Sequence, residues 1–396
     1  MKITRLESLY ADGGWRTFCF LKVSTDEGLT GWSEYSDNYG AGGVSDLIQR
    51  FGKLALGRDP RDIARLSADF HAVARMAAGG VNTQAAAAIE NACLDIKAKA
   101  LGVPVHALFG GRLRDRLAVY WSHCGFFRVR RPDLFEQWGR PPIRSLEDLK
   151  RLGEEAVARG FKAVKTNPLF FESGKAHAFS GGFAIVPGLH ERNPDGKLVR
   201  AVTELLAAFR DGMGPDAGLH LDINFSQRPD GFRRLAKAIE KFNLSWFEID
   251  IHDAEALASV RRSTSTPIAS LETIYGLSGY RPFFERYAVD AAVVDVIWNG
   301  LYQSMRIAAL ADAFEVNVAP HNFYGPLANL ISAHFSVAVP NFRIMEIEVE
   351  DVPWKDELIS HPGRIETGDF VFADRPGWGA EVNEEAVRAH PPMLRG

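Results

Sequence analysis

The chain has 396 residues, 46% hydrophobic and 24% charged, with a formal net charge of −4. That length exceeds what one hydrophobic core usually supports, so two domains are expected, and the composition is that of an ordinary globular protein. Without a basic block, a polybasic tail or a run of about 18 apolar residues, neither nucleic acid nor a membrane is an expected partner.

The first 60 residues read as strands joined by turns. Phe18–Val23 and Leu29–Trp32 flank a Ser24-Thr25-Asp26-Glu27-Gly28 turn, the pattern of a hairpin. An alanine-rich helix follows from about Thr83 to Ala100, closed by Gly102 and Pro104. From Leu117 to Glu348, short apolar runs alternate with amphipathic helices, the rhythm of a parallel α/β fold. The predicted strands are Leu117–His123, Lys162–Asn167, Gly218–Asn224, Ser245–Asp250, Pro267–Glu272, Ala291–Ile297, Glu315–Pro320 and Phe342–Glu348. Eight βα units most economically close into a barrel whose active groups stand at the carboxyl ends of the strands. One unit is oversized: Asn167 to Lys197 is either an active-site lid or a surface insertion. Cys19, Cys93 and Cys124 form no C-x-x-C pair, and Met1-Lys2-Ile3-Thr4-Arg5 lacks the apolar core of a signal peptide. Both features fit the cytoplasm.

Polar groups stand where the apolar runs end: Asp222, Glu248, Glu272, Asp295, His321 and Glu346, separated by 26, 24, 23, 26 and 25 residues. Each successive βα unit thus contributes one group, and a barrel would converge them on one mouth. A single strand-end carboxylate is more often a helix cap or surface charge; six groups in register are harder to dismiss. Asp222, Glu248 and Glu272 would repel in a low-dielectric site unless their pKa values rise or a divalent cation neutralises them. Oxygen donors without Cys or His favour Mg2+ over zinc.

Here the sequence resembles the enolase superfamily, and within it the mandelate racemase branch, over nearly the whole chain. The motifs are Gln84 through Ile89-Glu90 to Asp95-Ile96-Lys97, Leu101-Gly102-Val103-Pro104, Leu108-Phe109-Gly110-Gly111, and Arg375-Pro376-Gly377-Trp378-Gly379. Asp222-Ile223-Asn224, Phe247-Glu248 and Leu271-Glu272-Thr273 are similar to its metal-ligand strands, Asp295 and His321 to its dyad, and Met345-Glu346 to its eighth-strand acid. The resemblance implies a modified (β/α) barrel over 117–355, an α+β capping domain over 1–116, and a segment 356–396 that returns to the cap. It also implies one Mg2+ per subunit on Asp222, Glu248 and Glu272, a small carboxylate substrate, and a homo-oligomer, often octameric. His321 would be the acid/base, Asp295 its orienting partner, and Glu346 a donor to the enolate oxygen with a raised pKa.

Val164-Lys165-Thr166-Asn167 departs from the Lys-x-Lys of that family. Lys165 takes the first lysine position, to bind the substrate carboxylate or serve as a displaced base. Asn167 takes the second and cannot accept a proton at neutral pH. Racemisation usually needs a base on each face, whereas one histidine suffices for a β-elimination from one face. The reading therefore tilts toward dehydration of an aldonate or aldarate to a 2-keto-3-deoxy acid. Its rivals are an epimerase, racemase or cycloisomerase, and a catalytically idle metabolite-binding relative. Expected substrate contacts are Asn167, Asn224, His123, His177 and, on the cap loops about Tyr10–Thr17 and Glu34–Gly43, Arg16 and Tyr39. Strand alternation puts Glu346 and Glu348 on one face, leaving open which lies deeper.

Overall fold

The computed structural model describes residues 1–37, 42–172, 174–179, 181 and 190–393. Strands β1 (Ile3–Asp12), β2 (Thr17–Thr25) and β3 (Thr30–Tyr35) form an antiparallel meander, and β2–β3 is the expected hairpin. Thr25 closes its turn by accepting the Leu29 amide on its hydroxyl at 3.1 Å. Helices α1 (Val44–Ala55), α2 (Ile63–Val73) and α3 (Gly80–Leu101) complete the cap. α3 is alanine-rich because β3 lies almost on its backbone. At Gly31 any Cβ would stand 2.1 Å from the Ala92 carbonyl oxygen.

The barrel begins with β4 (Leu117–Trp121) and β5 (Ala163–Thr166). A hairpin of β6 (Leu169–Glu172) and β7 (Lys175–Ala178) interrupts it and packs on the short helix Phe126–Arg130. The ring continues through β8 (Gly218–Asp222), β9 (Trp246–Glu248), β10 (Ile268–Ser270), β11 (Ala291–Asp295), β12 (Asn317–His321) and β13 (Met345–Ile347). Parallel pairing runs from β4 to β12; β13 pairs with β4, and a Val318–Phe342 bridge completes the ring.

Each predicted run contains a strand, but most strands stop short of the predicted carboxyl end. The backbone turns there: His123, Asn224 and Leu271 have φ of 50°, 46° and 95°. Left-handed backbone is costly for such residues and persists where surrounding structure dictates it. At Leu271 the turn ends β10 and sets Glu272 beyond the strand. Inside the ring, Tyr120, Ala163, Trp246, Ala269, Ala291, Val293 and Ala319 form an apolar cluster of their own.

After β13 a 3-10 turn (Lys355–Leu358) replaces an eighth helix, and β14 (Arg364–Glu366) and β15 (Asp369–Val371) follow. β15 runs antiparallel to the start of β4. The chain then returns to the cap, where Asp95 accepts the Trp378 and Trp32 amides, each at 2.9 Å. Gly377, at φ 70°, allows that approach, since a Cβ there would lie 2.1 Å from Asp95 Oδ1. Among the described residues, no helix is long and apolar enough to cross a membrane.

Glu34, at the end of β3, joins cap to barrel. Its carboxylate accepts from the backbone N–H groups of Gly325 and, at 2.9 Å, Ala328, capping the buried helix Pro326–Ala338. Burial lifts its pKa to about 7, against the pull of those two amides. Because this folded value lies above the ordinary 4.5, the native state holds a proton that the unfolded chain has lost between those two pH values. Stability should therefore fall as pH rises from about 4.5 to about 7, by on the order of 3 kcal/mol for this group, and then level. Urea denaturation across that range should show a flatter profile for Glu34→Gln; an identical slope would rule Glu34 out as its source.

Candidate active site

Asp222 and Glu248 end adjacent strands, and their backbones pair directly. Glu272 follows one strand further on. Lys165, on β5, reaches into this group from below: its Nζ lies 2.8 Å from Glu346, 3.1 Å from Glu248 and 3.7 Å from Asp222. All of these side chains are buried. Glu248 also accepts the Trp246 indole N–H at 3.0 Å. Burial, reinforced by Asp222 and Glu272 against the pull of Lys165, lifts Glu248 to about 8. Burial likewise lifts Glu272 to about 7, although His321 opposes it. For Lys165, burial opposes the charge, but Glu248 and Glu346 outweigh it and hold the ammonium protonated.

His321 closes the opposite side. Its Nδ1 lies 2.6 Å from Asp295 Oδ2, and its Nε2 lies 3.3 Å from Glu272 and 4.0 Å from Glu346. Burial alone would lower its pKa; Glu272, Asp295 and Glu346 overcome that and raise it to about 10. The same Asp295 oxygen accepts the Tyr324 hydroxyl at 2.6 Å, while Oδ1 accepts the Trp298 amide at 2.7 Å. Asp295 is thereby fixed at both oxygens, and it fixes the His321 ring in turn.

The expectation of a raised pKa at Glu346 is corrected. Burial pushes it up, but Lys165 and His321 prevail, and the carboxylate is held below its ordinary range. Ser122 Oγ and, at 2.8 Å, the Asn322 amide also donate to it. Glu346 is an ionised acceptor rather than a donor. Glu348 stands apart from it, paired at 2.9 Å with His123 Nδ1. Burial raises Glu348 to about 8 and lowers His123 to about 3, so this is a hydrogen bond between neutral groups.

Asn167 donates to the Asp222 carbonyl at 3.1 Å, and its own buried Oδ1 has no partner among the described residues. Asn224 clasps Asp222 through its backbone N–H at 2.9 Å and its side-chain amide at 3.3 Å. Arg16 is buried, donating to Asp351 at 2.6 Å and to the Tyr324 carbonyl at 3.0 Å, while Nε and Nη1 have no hydrogen-bond partner among the described residues. His177 stands exposed on β7 and joins none of these contacts. Tyr39 lies outside the described residues, as do parts of the Glu34–Gly43 loop and of the oversized unit. The sequence reading missed Ser122, Tyr324, Asn322 and Asp250. Asp250 closes the predicted Ser245–Asp250 run, although the strand itself ends at Glu248.

The donors present suit a hard divalent cation. They are oxygen-only, and burial with mutual repulsion leaves Glu248 and Glu272 short of positive charge. Among the described residues, no group of three such side chains is drawn together as ligands. Lys165 bridges Asp222 and Glu248, and His321 contacts Glu272.

Residues 148–386 match the enolase C-terminal domain-like family, and residues 13–110 match the N-terminal domain of mandelate racemase and muconate lactonizing enzyme. The chain belongs to this branch of the enolase superfamily. It is 30% identical to the D-xylonate dehydratase of Haloferax volcanii over 100% of this chain and 90% of that one. A crystal structure of a Burkholderia xenovorans protein, provisionally named an L-alanine-DL-glutamate epimerase and bound to magnesium and fumarate, superposes with a TM-score of 0.96. Its identity is 45%, over 100% of this chain and 97% of that one. A Salmonella enterica protein provisionally named a dehydratase gives a TM-score of 0.87 at 26% identity, over 99% of each chain.

Replacing Lys165 with methionine would strip the buried carboxylates of their ammonium partner. Breaking a buried ion pair from one side costs about 3–5 kcal/mol, so metal-free Lys165→Met should unfold at markedly lower urea. An unchanged midpoint would mean that Glu346 is not ionised in the folded chain.

Proposed function

We propose that the protein dehydrates a sugar acid to a 2-keto-3-deoxy acid with the help of Mg2+. The observation that carries this is the dyad: His321, pinned through Nδ1 by Asp295, presents Nε2 to Glu272, one of the three oxygen donors Asp222, Glu248 and Glu272. When bound by those three carboxylates, Mg2+ would supply positive charge for the substrate carboxylate and offset the negative field that holds the proton on His321.

His321 Nε2 takes the α-proton, and the electron pair of that C–H bond moves into the carboxylate. The pair then forms the C–C double bond as the β C–O bond breaks. The leaving hydroxide takes the proton back from His321 and departs as water. The enol so formed tautomerises to the keto acid. Lys165, between Glu346 and Glu248, stabilises the negative charge that develops on the carboxylate. Asn167 offers an acceptor oxygen and no base, which suits removal and return of the proton on one face. The similarity to a D-xylonate dehydratase supports the same reading.

Incubation with Mg2+ and a panel of aldonates and aldarates should yield a 2-keto acid, detected as the semicarbazone, from one diastereomer. EDTA should abolish the product, and His321→Asn should lower kcat/KM by about 10³-fold. The 45% identity to a protein provisionally named an epimerase supports a second reading. Deuterium entering recovered substrate from D2O, with no keto acid formed, would favour it over dehydration.

A further inference from the structure

The orientation of the dyad rests on one oxygen atom. Asp295 Oδ2 receives His321 Nδ1 and the Tyr324 hydroxyl, each at 2.6 Å, while Oδ1 receives the Trp298 amide at 2.7 Å. Asp295 is buried, and Tyr324 is only 3% exposed. The torsion that turns an aspartate carboxyl group has broad wells, so hydrogen bonds rather than the side chain's own preference must hold it. The Trp298 amide fixes Oδ1 alone. With the phenol in place, one lone-pair site of Oδ2 is filled and the other is left for Nδ1.

His321 needs that constraint. Trp298 and Phe323 stand beside its ring, with centres 5.3 and 5.0 Å away. Such contacts limit tilt, but a hydrogen bond to one ring nitrogen decides which carries the proton and which is free to take one. Burial, and then Asp295, push the Tyr324 phenol well above its ordinary range, so it stays a donor.

Tyr324 is itself held. Its carbonyl accepts Arg16 Nη2 at 3.0 Å, and the Arg16 guanidinium lies over the Trp15 ring at 4.0 Å. At Gly325, the next residue, a Cβ would stand 2.5 Å from Glu34 Oε1 and 2.8 Å from Phe18 Cδ1. The cap thus presses against the backbone that carries the phenol. The Tyr324 ring lies 4.5 Å from Phe323 between centres and stands edge-on to His321 at 6.0 Å. Phenylalanine would keep this packing and lose only the hydroxyl.

We propose that Tyr324 is a positioning residue for proton abstraction, its hydroxyl setting the Asp295 carboxylate so that His321 presents Nε2 to the substrate. The inference rests on His321 being the base of the proposed reaction. A misplacement of about 1 Å costs about 10²-fold in rate, so the phenol acts on kcat without touching the substrate.

The test compares the Mg2+-loaded protein with Tyr324→Phe and with Tyr324→4-aminophenylalanine, which returns an N–H donor to the same place. The first readout is the 1H NMR signal of the His321 Nδ1 proton, far downfield and identified by its loss in His321→Asn. It should move upfield and broaden in Tyr324→Phe and return in the aminophenyl variant. The second readout is keto-acid formation from the aldonate that the unaltered protein turns over. There kcat should fall at least about tenfold in Tyr324→Phe with KM within about twofold, and the aminophenyl group should restore it. A signal that stays or moves downfield, an undiminished kcat, or a loss that the aminophenyl group does not repair would each overturn the proposal. A Tyr324→Phe chain that unfolds would make the hydroxyl structural and overturn it likewise. Should no acid react, the dehydratase reading fails on its own, and the NMR signal decides whether the phenol sets the dyad.

Discussion

The site is organised around the excess of negative charge at the barrel mouth. Parallel strands bring their carboxyl ends together, so Asp222, Glu248, Asp250, Glu272, Asp295 and Glu346 are all buried in one region. Two unit charges about 4 Å apart interact by about 4 kcal/mol at an effective dielectric constant of 20, so these groups cannot all ionise unaided. Lys165 and His321 divide them. Glu346, taking both cations and two neutral donors, stays ionised. Glu248 and Glu272 are driven up to about 8 and about 7. The folded chain thus concentrates its electrostatic deficit on the carboxylates whose oxygen chemistry suits a divalent cation.

The cap is tied to this arrangement by more than apolar packing. Arg16 donates to the Tyr324 carbonyl, and Glu34 accepts from Gly325 and Ala328, so two cap residues grip the segment that follows His321. Within that segment the Tyr324 hydroxyl holds the Asp295 oxygen that also holds His321. The orientation of the dyad and the seating of the cap are therefore mechanically one feature. A shift of the β1–β2 loop would move Arg16 and be felt at Asp295 through one tyrosine.

How much of this was legible in the sequence depended on distance along the chain. The eight strands and the six groups from Asp222 to Glu346 follow from a short period, which apolar runs reveal directly. Partners from distant segments left no such trace. Nothing around Glu346 announces that Lys165, far upstream, will lie 2.8 Å away, and that contact is why its pKa falls where a rise was expected. Ser122, Tyr324 and Glu34 were missed for the same reason: each acts through a contact made only by closure of the ring or seating of the cap. Asp250 is a second carboxylate in the Ser245–Asp250 run, which a pattern of one group per strand passes over. The strand ends misled for a local reason, as left-handed residues at His123, Asn224 and Leu271 turn the chain sooner than its apolar pattern does.

Asn167 draws these threads together. A lysine there would add a cation to a mouth where Lys165 already spans three carboxylates, and would give the second face of the substrate a group able to carry a proton. Asparagine removes both. Its Nδ2 ties back to the Asp222 carbonyl, fixing the strand end that bears that carboxylate, and its Oδ1 remains a buried acceptor. The mouth is left one charge more negative than a lysine would make it, and in the proposed reaction His321 alone carries the proton. A site with one proton carrier can take a proton and return it on the same side, which is the requirement of an elimination whose leaving group departs from the face it was attacked on. The asparagine thus lowers the charge of the site and, under the proposed dehydration, withholds a second proton carrier, both through a single amide at the end of β5.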